Sequence, residues 1–340
     1  MSEDTGLRFA AIGLDHRHIY HQVGRLLEIG AACAGYWTRD PDAVPVRGFV
    51  ERFPDLPRVD DPRRLLDDPS IHLIVTAGIP AERAGIAVEA MCHGKDVMTD
   101  KPGVVTFEQL DAVRRAQAET GRIWSVNFSE RFEVRAVTCA VELIQAGAIG
   151  RVVHTLGLGP HRLNAHLRPA WFFDPAQAGG ILADIASHQI DQFLYLTGSD
   201  DAEVVASAVA NHTNLDHPAF EDFGEVLLKS DRASGYIRVD WYTPDGLPTW
   251  GDGRLTVLGT EGYIELRKYV DIAGRPGTDH LFLVTNEETR YIDCADAPLP
   301  YYTRLRDDVL RRTETAMPQA HCFKVSELAL TAQARAARLA

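Results

Sequence analysis

The sequence lacks long apolar runs and basic clusters, and each absence excludes a class of protein. A membrane-spanning helix needs about 20 consecutive apolar residues, and no run approaches that length, so we expect no membrane association. Met1 to Gly6 lack the basic start and apolar core of a secretory leader, which predicts a cytoplasmic protein. Lys and Arg number 35 against 48 Asp and Glu, a formal net charge of −13, so we expect no binding to nucleic acid.

Cysteine and lysine are also scarce. The five cysteines are scattered and form no CxxC pair, which is typical of reduced thiols and disfavours a disulfide framework or a structural zinc site. The chain has only five lysines, at positions 95, 101, 229, 268 and 324, while arginine supplies the other positive charges. A lysine within a motif is therefore more informative here than in a lysine-rich chain.

What the sequence does contain is enough apolar residues for two hydrophobic cores. Of its 340 residues, 45% are apolar and 24% are charged, which is typical of globular proteins. Up to about residue 128, short apolar segments alternate with helical patterns, as in a parallel sheet covered on both faces. From about residue 152, strand patterns follow one another with turn residues between them, which indicates a largely antiparallel sheet. The spacing also predicts helices over 180–196 and 325–339.

The loop after the first strand departs from a known phosphate-binding pattern. Dinucleotide-binding folds have G-x-G-x-x-G there, so that the backbone approaches a pyrophosphate at the helix N-terminus. Gly13 fits, but Asp15 and His18 replace the second and third glycines. Two interpretations remain open. Either Asp15 caps the helix and the histidines lie on its surface, or the loop faces a dinucleotide, with His16 or Arg17 adding to the helix dipole.

The second strand pattern ends at Trp37-Thr38-Arg39. An acidic residue at this position would bind the adenosine ribose of NAD, whereas a hydroxyl beside a guanidinium suits the 2′-phosphate of NADP. The sequence therefore favours NADP over NAD. The alternative is that Arg39 is solvated or stacks on the adenine, which would serve either cofactor.

Two further segments carry ionisable groups. Asp100-Lys101-Pro102 follows the fourth strand pattern, at the edge of the sheet where ligands bind, and an ammonium there can bind substrate or transfer a proton. Asp184 and His188 follow the pair Gly179-Gly180 and lie four residues apart, so they share a helical face and can exchange a proton with a substrate oxygen. The alternative is an ordinary amphipathic helix with a satisfied histidine. We predict no metal site, because no third ligand is apparent here or beside the histidines at 18 and 21.

Taken in order, these segments resemble the Gfo/Idh/MocA family of glucose–fructose oxidoreductase and inositol dehydrogenase-like enzymes. Gly94 to Pro102 is similar to the family's G-K-x-V-x-x-E-K-P, with Asp100 in place of Glu, and residues 179–188 match its G-G-x-x-x-D-x-x-x-H. The resemblance covers nearly the whole chain. It implies an α/β protein with a Rossmann NAD(P)-binding domain over 1–128. A substrate-binding and oligomerisation domain over 129–340 would hold a large, open, mostly antiparallel sheet and form a homodimer or homotetramer.

The resemblance also implies the site. Lys101 takes the place of the lysine that contacts substrate and nicotinamide ribose, Asp184 that of the acid that positions substrate, and His188 that of the proton acceptor. These three side chains are expected to converge from the two domains around one cleft. The residues implied to bind the cofactor are Gly13, Leu14, Asp15, His16, Thr38, Arg39, Thr76, Ala77, Gly78 and Lys101. The residues expected to contact substrate are Asn127, Arg131, His161 and Trp171.

The implied activity is NAD(P)-dependent transfer of hydride from a secondary hydroxyl of a sugar, cyclitol or related polyol. Two departures from the family pattern are the altered glycine loop and the segment from Gly78 to Arg83, which lacks the family's histidine. Two alternatives therefore stay open. One is a net non-redox enzyme (an epimerase, lyase or glycoside-cleaving enzyme) that holds NAD(P) tightly, and the other is a nucleotide-binding regulator without catalysis.

Overall fold

The computed structural model describes residues 6–339, which divide into two compact units. The first unit comprises the residues through Asn127 together with Ala176–Ala178 and Pro300–Phe323, and the second comprises Phe128–Pro175, Gly179–Leu299 and the chain from Lys324 onward. The sequence predicts two contiguous domains that meet at residue 128. The observed division differs, because the two later segments cluster with the N-terminal unit. Residues 1–5, on which the prediction of no secretory leader rests, lie outside the described residues.

The first unit is built on a parallel sheet of five strands. These are β1 (Arg8–Ile12), β2 (Ala32–Trp37), β3 (Leu73–Thr76), β4 (Asp96–Asp100) and β5 (Trp124–Asn127). Their order is β2-β1-β3-β4-β5, and every pairing is parallel. An isolated parallel bridge between Tyr36 and Arg58 flanks β2. The arrangement is therefore that of a Rossmann sheet in which the outer strand is reduced to one bridge, and its ligand crevice lies between the ends of β1 and β3.

The helices of both units, in chain order, are α1 (Ile19–Glu28), α2 (Val44–Arg52), α3 (Arg63–Leu66), α4 (Pro80–Cys92), α5 (Phe107–Thr120), α6 (Ser129–Phe132), α7 (Arg135–Gln145), α8 (Pro175–Ala178), α9 (Ser187–Thr197), α10 (Tyr301–Arg311) and α11 (Gln319–Arg335). Local signals explain several ends. The Thr106 hydroxyl accepts a hydrogen bond from the backbone amide of Gln109 at the start of α5, as a threonine N-cap does. Pro45 lies in the first turn of α2, where its missing N–H needs no partner.

The second unit contains a sheet of nine strands. Its strands are β6 (Val152–Pro160), β7 (Glu203–Ala210), β8 (Phe223–Lys229), β9 (Ser234–Asp240), β10 (Arg254–Gly259), β11 (Gly262–Arg267), β12 (His280–Thr285), β13 (Thr289–Asp293) and β14 (Ala337–Arg338). The order is β13-β12-β11-β10-β6-β9-β8-β7-β14. The sheet is mostly antiparallel, as predicted. It is nevertheless mixed, because β6 pairs with β9 and β7 pairs with β14 in parallel.

One hydrophobic core of the second unit lies between α7 and the β10–β12 part of the sheet. Alternate residues of these strands are buried, among them Leu255, Ile264 and Leu281. They pack in one cluster with Val137 and Ala140 of α7. This alternation has the period of two expected for a sheet with one covered face, so the hydrophobic pattern fixes which face of each strand points inward.

The C-terminal segment differs from its prediction. The sequence predicts a helix over 325–339, but α11 begins six residues earlier and ends at Arg335. Residues Ala337–Arg338 then form β14, and the backbone amide of Leu339 donates to the carbonyl of Val209. The last residues leave the helix because β7 would otherwise be the edge strand, and its unpaired backbone groups gain partners from a parallel neighbour.

The described helices and the cysteines both bear on what the composition predicts. Among the described residues, no helix has both the length and the apolar character needed to cross a membrane. All five cysteines are free thiols, with Cys294 and Cys322 buried. The absence of disulfides agrees with the scattered spacing in the sequence.

Candidate functional site

The loops after β1 and β3 lie against each other at the carboxyl edge of the parallel sheet. The Ala77 amide donates to the Gly13 carbonyl at 3.1 Å, and the His16 amide donates to the Ala77 carbonyl at 2.8 Å. Gly13 has a φ of +79°, and a Cβ there would lie 3.1 Å from the Gly78 Cα and 3.2 Å from the Thr76 Oγ1. Glycine is thus required by both conformation and space. These loops hold most of the residues predicted to bind the cofactor, including the buried Leu14.

Asp15 does not cap α1. The N-cap residue of α1 is His18, which makes no side-chain capping bond, and the Asp15 carboxyl instead accepts a hydrogen bond from the backbone amide of Ile79 at the start of α4. Burial, and then the charge of Glu82, raises the pKa of Asp15. The start of α1 therefore has no side-chain cap, and the positive end of a helix dipole suits an anionic group such as the pyrophosphate of a dinucleotide.

At the end of β2, the side chains of Thr38 and Arg39 differ in their burial and in their partners. Thr38 is buried, whereas Arg39 is exposed and its Nη1 lies 2.6 Å from the Glu82 Oε1 on α4. A 2′-phosphate would have to take this guanidinium from Glu82, a competitor that the sequence did not indicate.

Asp100, at the end of β4, is a buried carboxylate with three basic side chains around it, of which Arg83 is buried and His16 and His18 are half-exposed. Its Oδ1 lies 2.9 Å from the His18 Nδ1, and its Oδ2 lies 3.1 Å from the Arg83 Nη2 and 3.5 Å from the His16 Nδ1. Burial alone would raise the pKa of Asp100, but His18 and then Arg83 hold it well below its usual range. Burial and the neighbouring His18 lower the pKa of His16 well below its usual value. One possible metal-ligand atom from each of His16, His18 and Asp100 lies within 4.8 Å of the others. A third possible metal ligand near the two histidines therefore comes from a distant strand, β4, which carries Asp100.

Arg83 fixes the backbone around Lys101. Its buried guanidinium donates to the carbonyls of Gly78 at 2.7 Å, Lys101 at 2.5 Å and Pro102 at 3.1 Å. Lys101 is therefore held at the carboxyl end of β4, where it is buried. Sequence reasoning missed Arg83, although it lies in the very segment that departs from the family pattern.

In the second unit, the helix that carries Asp184 and His188 is not uniform. Residues Leu182–Ala186 form a π-helical turn, and α9 continues from Ser187. The prediction of one α-helix over 180–196 was wrong at this turn, so the argument that residues four apart share an α-helical face does not hold there. Asp184 is half-buried, whereas His188 is buried and its ring lies edge-on to Phe128 at 6.3 Å. Single π-helical turns occur often at functional sites.

Two consecutive residues of α6 hold α9. Arg131 donates to both carboxylate oxygens of Asp191, at 2.6 and 2.7 Å, and its guanidinium lies 4.3 Å from the ring centres of both Phe132 and Tyr195. These bonds commit Arg131 to the protein's own helix. Its predicted contact with substrate is untested.

Glu130 forms the second anchor of α9. Its Oε2 accepts from the Lys268 Nζ at 2.5 Å and from the Gln189 Nε2 at 3.0 Å, and Lys268 also donates to the Gln192 Oε1 at 2.9 Å. Burial alone would raise the pKa of Glu130, but Lys268, followed by His188 and His161, lowers it to about 2. Sequence reasoning missed this pair. The scarcity of lysine was the available signal, since Lys268 is one of five.

The other predicted substrate residues fall in both units. Asn127 belongs to the first unit, where its Nδ2 donates to the Tyr302 hydroxyl at 2.7 Å. His161 and Trp171 belong to the second unit, and the His161 ring packs 4.6 Å from that of Trp250. Lys101 lies in the first unit, and Asp184 and His188 lie in the second. Their convergence remains a prediction.

Two family models match the chain. The model described as "Oxidoreductase family, NAD-binding Rossmann fold" matches residues 10–128, and the GFO/IDH/MocA C-terminal domain matches residues 137–265. Scyllo-inositol 2-dehydrogenase (NAD(+)) of Bacillus subtilis (strain 168) is 27% identical over 76% of this chain and 73% of its own length. Levoglucosan dehydrogenase of Pseudarthrobacter phenanthrenivorans is 34% identical over 47% of this chain and 45% of its own. A B. subtilis scyllo-inositol 2-dehydrogenase (NADP(+)) is 29% identical over 48% and 45%.

Solved structures share the whole architecture. A protein of Erwinia carotovora atroseptica SCRI1043, provisionally named an oxidoreductase, is 47% identical with a TM-score of 0.95 over 98% of this chain and 100% of its own. Levoglucosan dehydrogenase in complex with NADH has a TM-score of 0.76 over 96% of both chains at 20% identity, which shows a common fold.

Proposed function

Because the chain belongs to the GFO/IDH/MocA oxidoreductase family, with its NAD-binding Rossmann fold, we propose that it is a dehydrogenase of a sugar, cyclitol or related polyol. The bond broken is the C–H bond of a carbon that bears a secondary hydroxyl. The observation that carries the proposal is the placement of Lys101 at the carboxyl end of β4, with its backbone held by Arg83, since this edge of a parallel sheet binds the ligand. The names of the curated relatives support the substrate class.

Each of the three proposed catalytic residues has a separate role. His188 accepts the proton of the reacting hydroxyl, for which a buried imidazole held on an anchored helix is suited. Asp184 accepts a hydrogen bond from the substrate and sets its orientation, and Lys101 donates one to the substrate oxygen. The nicotinamide ring supplies the hydride acceptor when the cofactor is bound. Asn127, His161 and Trp171 contact the remaining hydroxyls in this proposal, and Arg131 acts through Asp191 on the position of α9.

The cofactor preference is part of the proposal. Thr38 and Arg39 favour NADP, and the contact between Arg39 and Glu82 opposes that preference. Curated relatives are named for NAD(+) and for NADP(+), so the family admits both. We also propose that the protein acts in the cytoplasm as a homodimer or homotetramer.

The test is a panel of polyols and sugars with NAD+ and NADP+, followed by the absorbance of the reduced nicotinamide. On the substrate found, His188→Ala and Lys101→Ala are expected to lower kcat by about 100-fold or more, the scale of a positioned acid or base. His154→Ala is the matched control, since His154 lies on β6 and its Nδ1 pairs with the Ser234 hydroxyl on the neighbouring strand β9. Undiminished turnover by His188→Ala would refute the assignment of the proton acceptor. If the wild type turns over without added NAD(P) and nucleotide copurifies with it, the protein is a net non-redox enzyme and the assignment as a dehydrogenase is wrong.

A further inference from the structure

The site leaves one motif unexplained. His18 occupies the third glycine position of the phosphate loop, and that glycine ordinarily allows α1 to pack closely on the sheet. Here an imidazole fills the position and reaches 82 residues along the chain to the Asp100 carboxylate. Asp100 is itself the departure from the family's glutamate. Both departures thus belong to a single contact between the start of α1 and the end of β4.

The contact determines which ring nitrogen of His18 carries the proton. Asp100 is held as a carboxylate by Arg83 and His18, and a carboxylate only accepts hydrogen bonds. The His18 Nδ1 must therefore be the donor. In the neutral ring the proton on Nδ1 leaves Nε2 with its lone pair, as in other carboxylate–histidine pairs. His18 is half-exposed, whereas the Asp100 behind it is buried.

The fold indicates which part of a dinucleotide would meet this atom. In a Rossmann sheet the adenosine lies at the end of the strand that holds Thr38, and the pyrophosphate lies at the start of α1. The other nucleoside then lies on the side of β3 and β4, where His18 and Asp100 meet. The groups of that nucleoside that can donate a hydrogen bond to Nε2 include its ribose hydroxyls.

We infer that His18, oriented by Asp100, is a cofactor-binding residue whose Nε2 accepts a hydrogen bond from a ribose hydroxyl on the nicotinamide side of the dinucleotide. The inference rests on the proposed function, because it requires a dinucleotide in the crevice. The other groups around His18 are consistent with it. His16 accepts the His18 backbone N–H through its Nδ1, and Arg83 binds the far oxygen of Asp100, so neither of these two bonds occupies Nε2.

Binding of three ligands distinguishes a contact between His18 and the second ribose from a general effect of the substitution on the phosphate loop. NADH and ADP-ribose carry the second ribose, whereas ADP carries only the adenosine and the phosphates. Calorimetric titration of the full chain with each ligand, in a buffer with EDTA, gives the three dissociation constants. For His18→Phe we expect the Kd of NADH and of ADP-ribose to rise about threefold to tenfold, the scale of one hydrogen bond, with the Kd of ADP unchanged. His21→Phe, an exposed histidine on the same helix, is the control and should change none of the three.

Asp100→Asn provides an independent arm. An amide can turn its NH₂ toward the Nδ1, which favours the tautomer with the proton on Nε2 and removes the acceptor. Because a ribose hydroxyl can also accept a hydrogen bond from an Nε2–H, the expected loss for NADH and ADP-ribose is smaller than that of His18→Phe, again with ADP spared. A circular dichroism melt shows whether each variant is folded, and the inference can be decided on either variant.

The outcomes separate the two proposals. If the wild type binds NADH but both variants bind it equally well, His18 does not contact the second ribose and the inference is overturned. The same follows if the variants lose affinity for ADP in the same proportion as for NADH. If EDTA changes the affinity of the wild type for NADH, a cation held by His16, His18 and Asp100 mediates binding, which also overturns it. If the wild type binds neither NADH nor NADPH, the proposed function fails and the inference fails with it.

Discussion

The buried ion pair of Glu130 and Lys268 gives a prediction whose size follows from the structure. Both residues are buried, and the carboxylate has a pKa of about 2 against an ordinary value of 4.5. A difference of about 2.5 in pKa corresponds to about 3 kcal/mol of stabilisation of the ionised form. Lys268→Met removes the partner and leaves a buried carboxylate, a change that typically costs about 3–5 kcal/mol. We expect the free energy of unfolding of the second unit, measured by urea denaturation at neutral pH, to fall by about that amount.

The pair also predicts a dependence on pH. Because the pKa of Glu130 is lower in the folded state than in the unfolded state, its contribution is present above pH 4.5 and is lost as the pH falls toward about 2. In Lys268→Met, the free energy of unfolding should therefore depend less on pH between about 4.5 and about 2. The double variant Glu130→Gln/Lys268→Met should recover much of the loss, because it leaves no unpaired buried charge.

The matched control is Lys324→Met. Lys324 is half-exposed in the same unit and pairs with Asp201 and Glu327 near the surface, and such pairs contribute at most about 1 kcal/mol. A loss below about 1 kcal/mol for Lys268→Met, or an equal loss in both variants, would refute the reasoning that burial gives the pair its energy.

Three further predictions concern the first unit. Glu82→Gln frees Arg39, so the ratio of kcat/KM for NADP+ to that for NAD+ should rise about twofold to fivefold, and an unchanged ratio would show that Arg39 does not meet the 2′-phosphate. Gly13→Ala should weaken NADH binding in a fluorescence titration and lower the Tm, since a Cβ at φ +79° meets the backbone of Gly78; unaltered binding would contradict the close approach of these loops. The lowered pKa of His16 keeps it neutral when folded, so stability should fall as the pH drops below 6.5, and His16→Gln should reduce that slope in thermal melts.

Much of the fold could be predicted because its signals are local. The alternation of apolar segments and helices up to residue 128 corresponds to the observed parallel sheet, and the succession of strand patterns from about residue 152 corresponds to the mostly antiparallel sheet. The π-helical turn at Leu182–Ala186 and the short strand β14 could not be predicted in this way. Each depends on how a segment packs or pairs with residues far away in the chain, which overrides its own helical spacing.

In the candidate site, too, the sequence indicated local features but not the contacts between distant residues. Its residue types were indicated by position: a glycine after β1, a lysine after β4, and an aspartate and histidine after two glycines. Their environments were not. Of the two interpretations of the loop after β1, the one in which Asp15 caps α1 and His18 lies on its surface is wrong, because Asp15 bonds to Ile79 and His18 contacts a buried carboxylate.

By itself, the sequence determined the order of strands and helices, the parallel first sheet and the positions of the chemically active residues, because apolar periodicity and turn residues act over a few positions. Only the tertiary structure decided which charges are paired. His18 meets Asp100 across 82 residues and Lys268 meets Glu130 across 138, and no local spacing encodes such contacts. These pairings set the proton positions and the buried charges of the two units, since the energy of a charge depends on what the fold places around it.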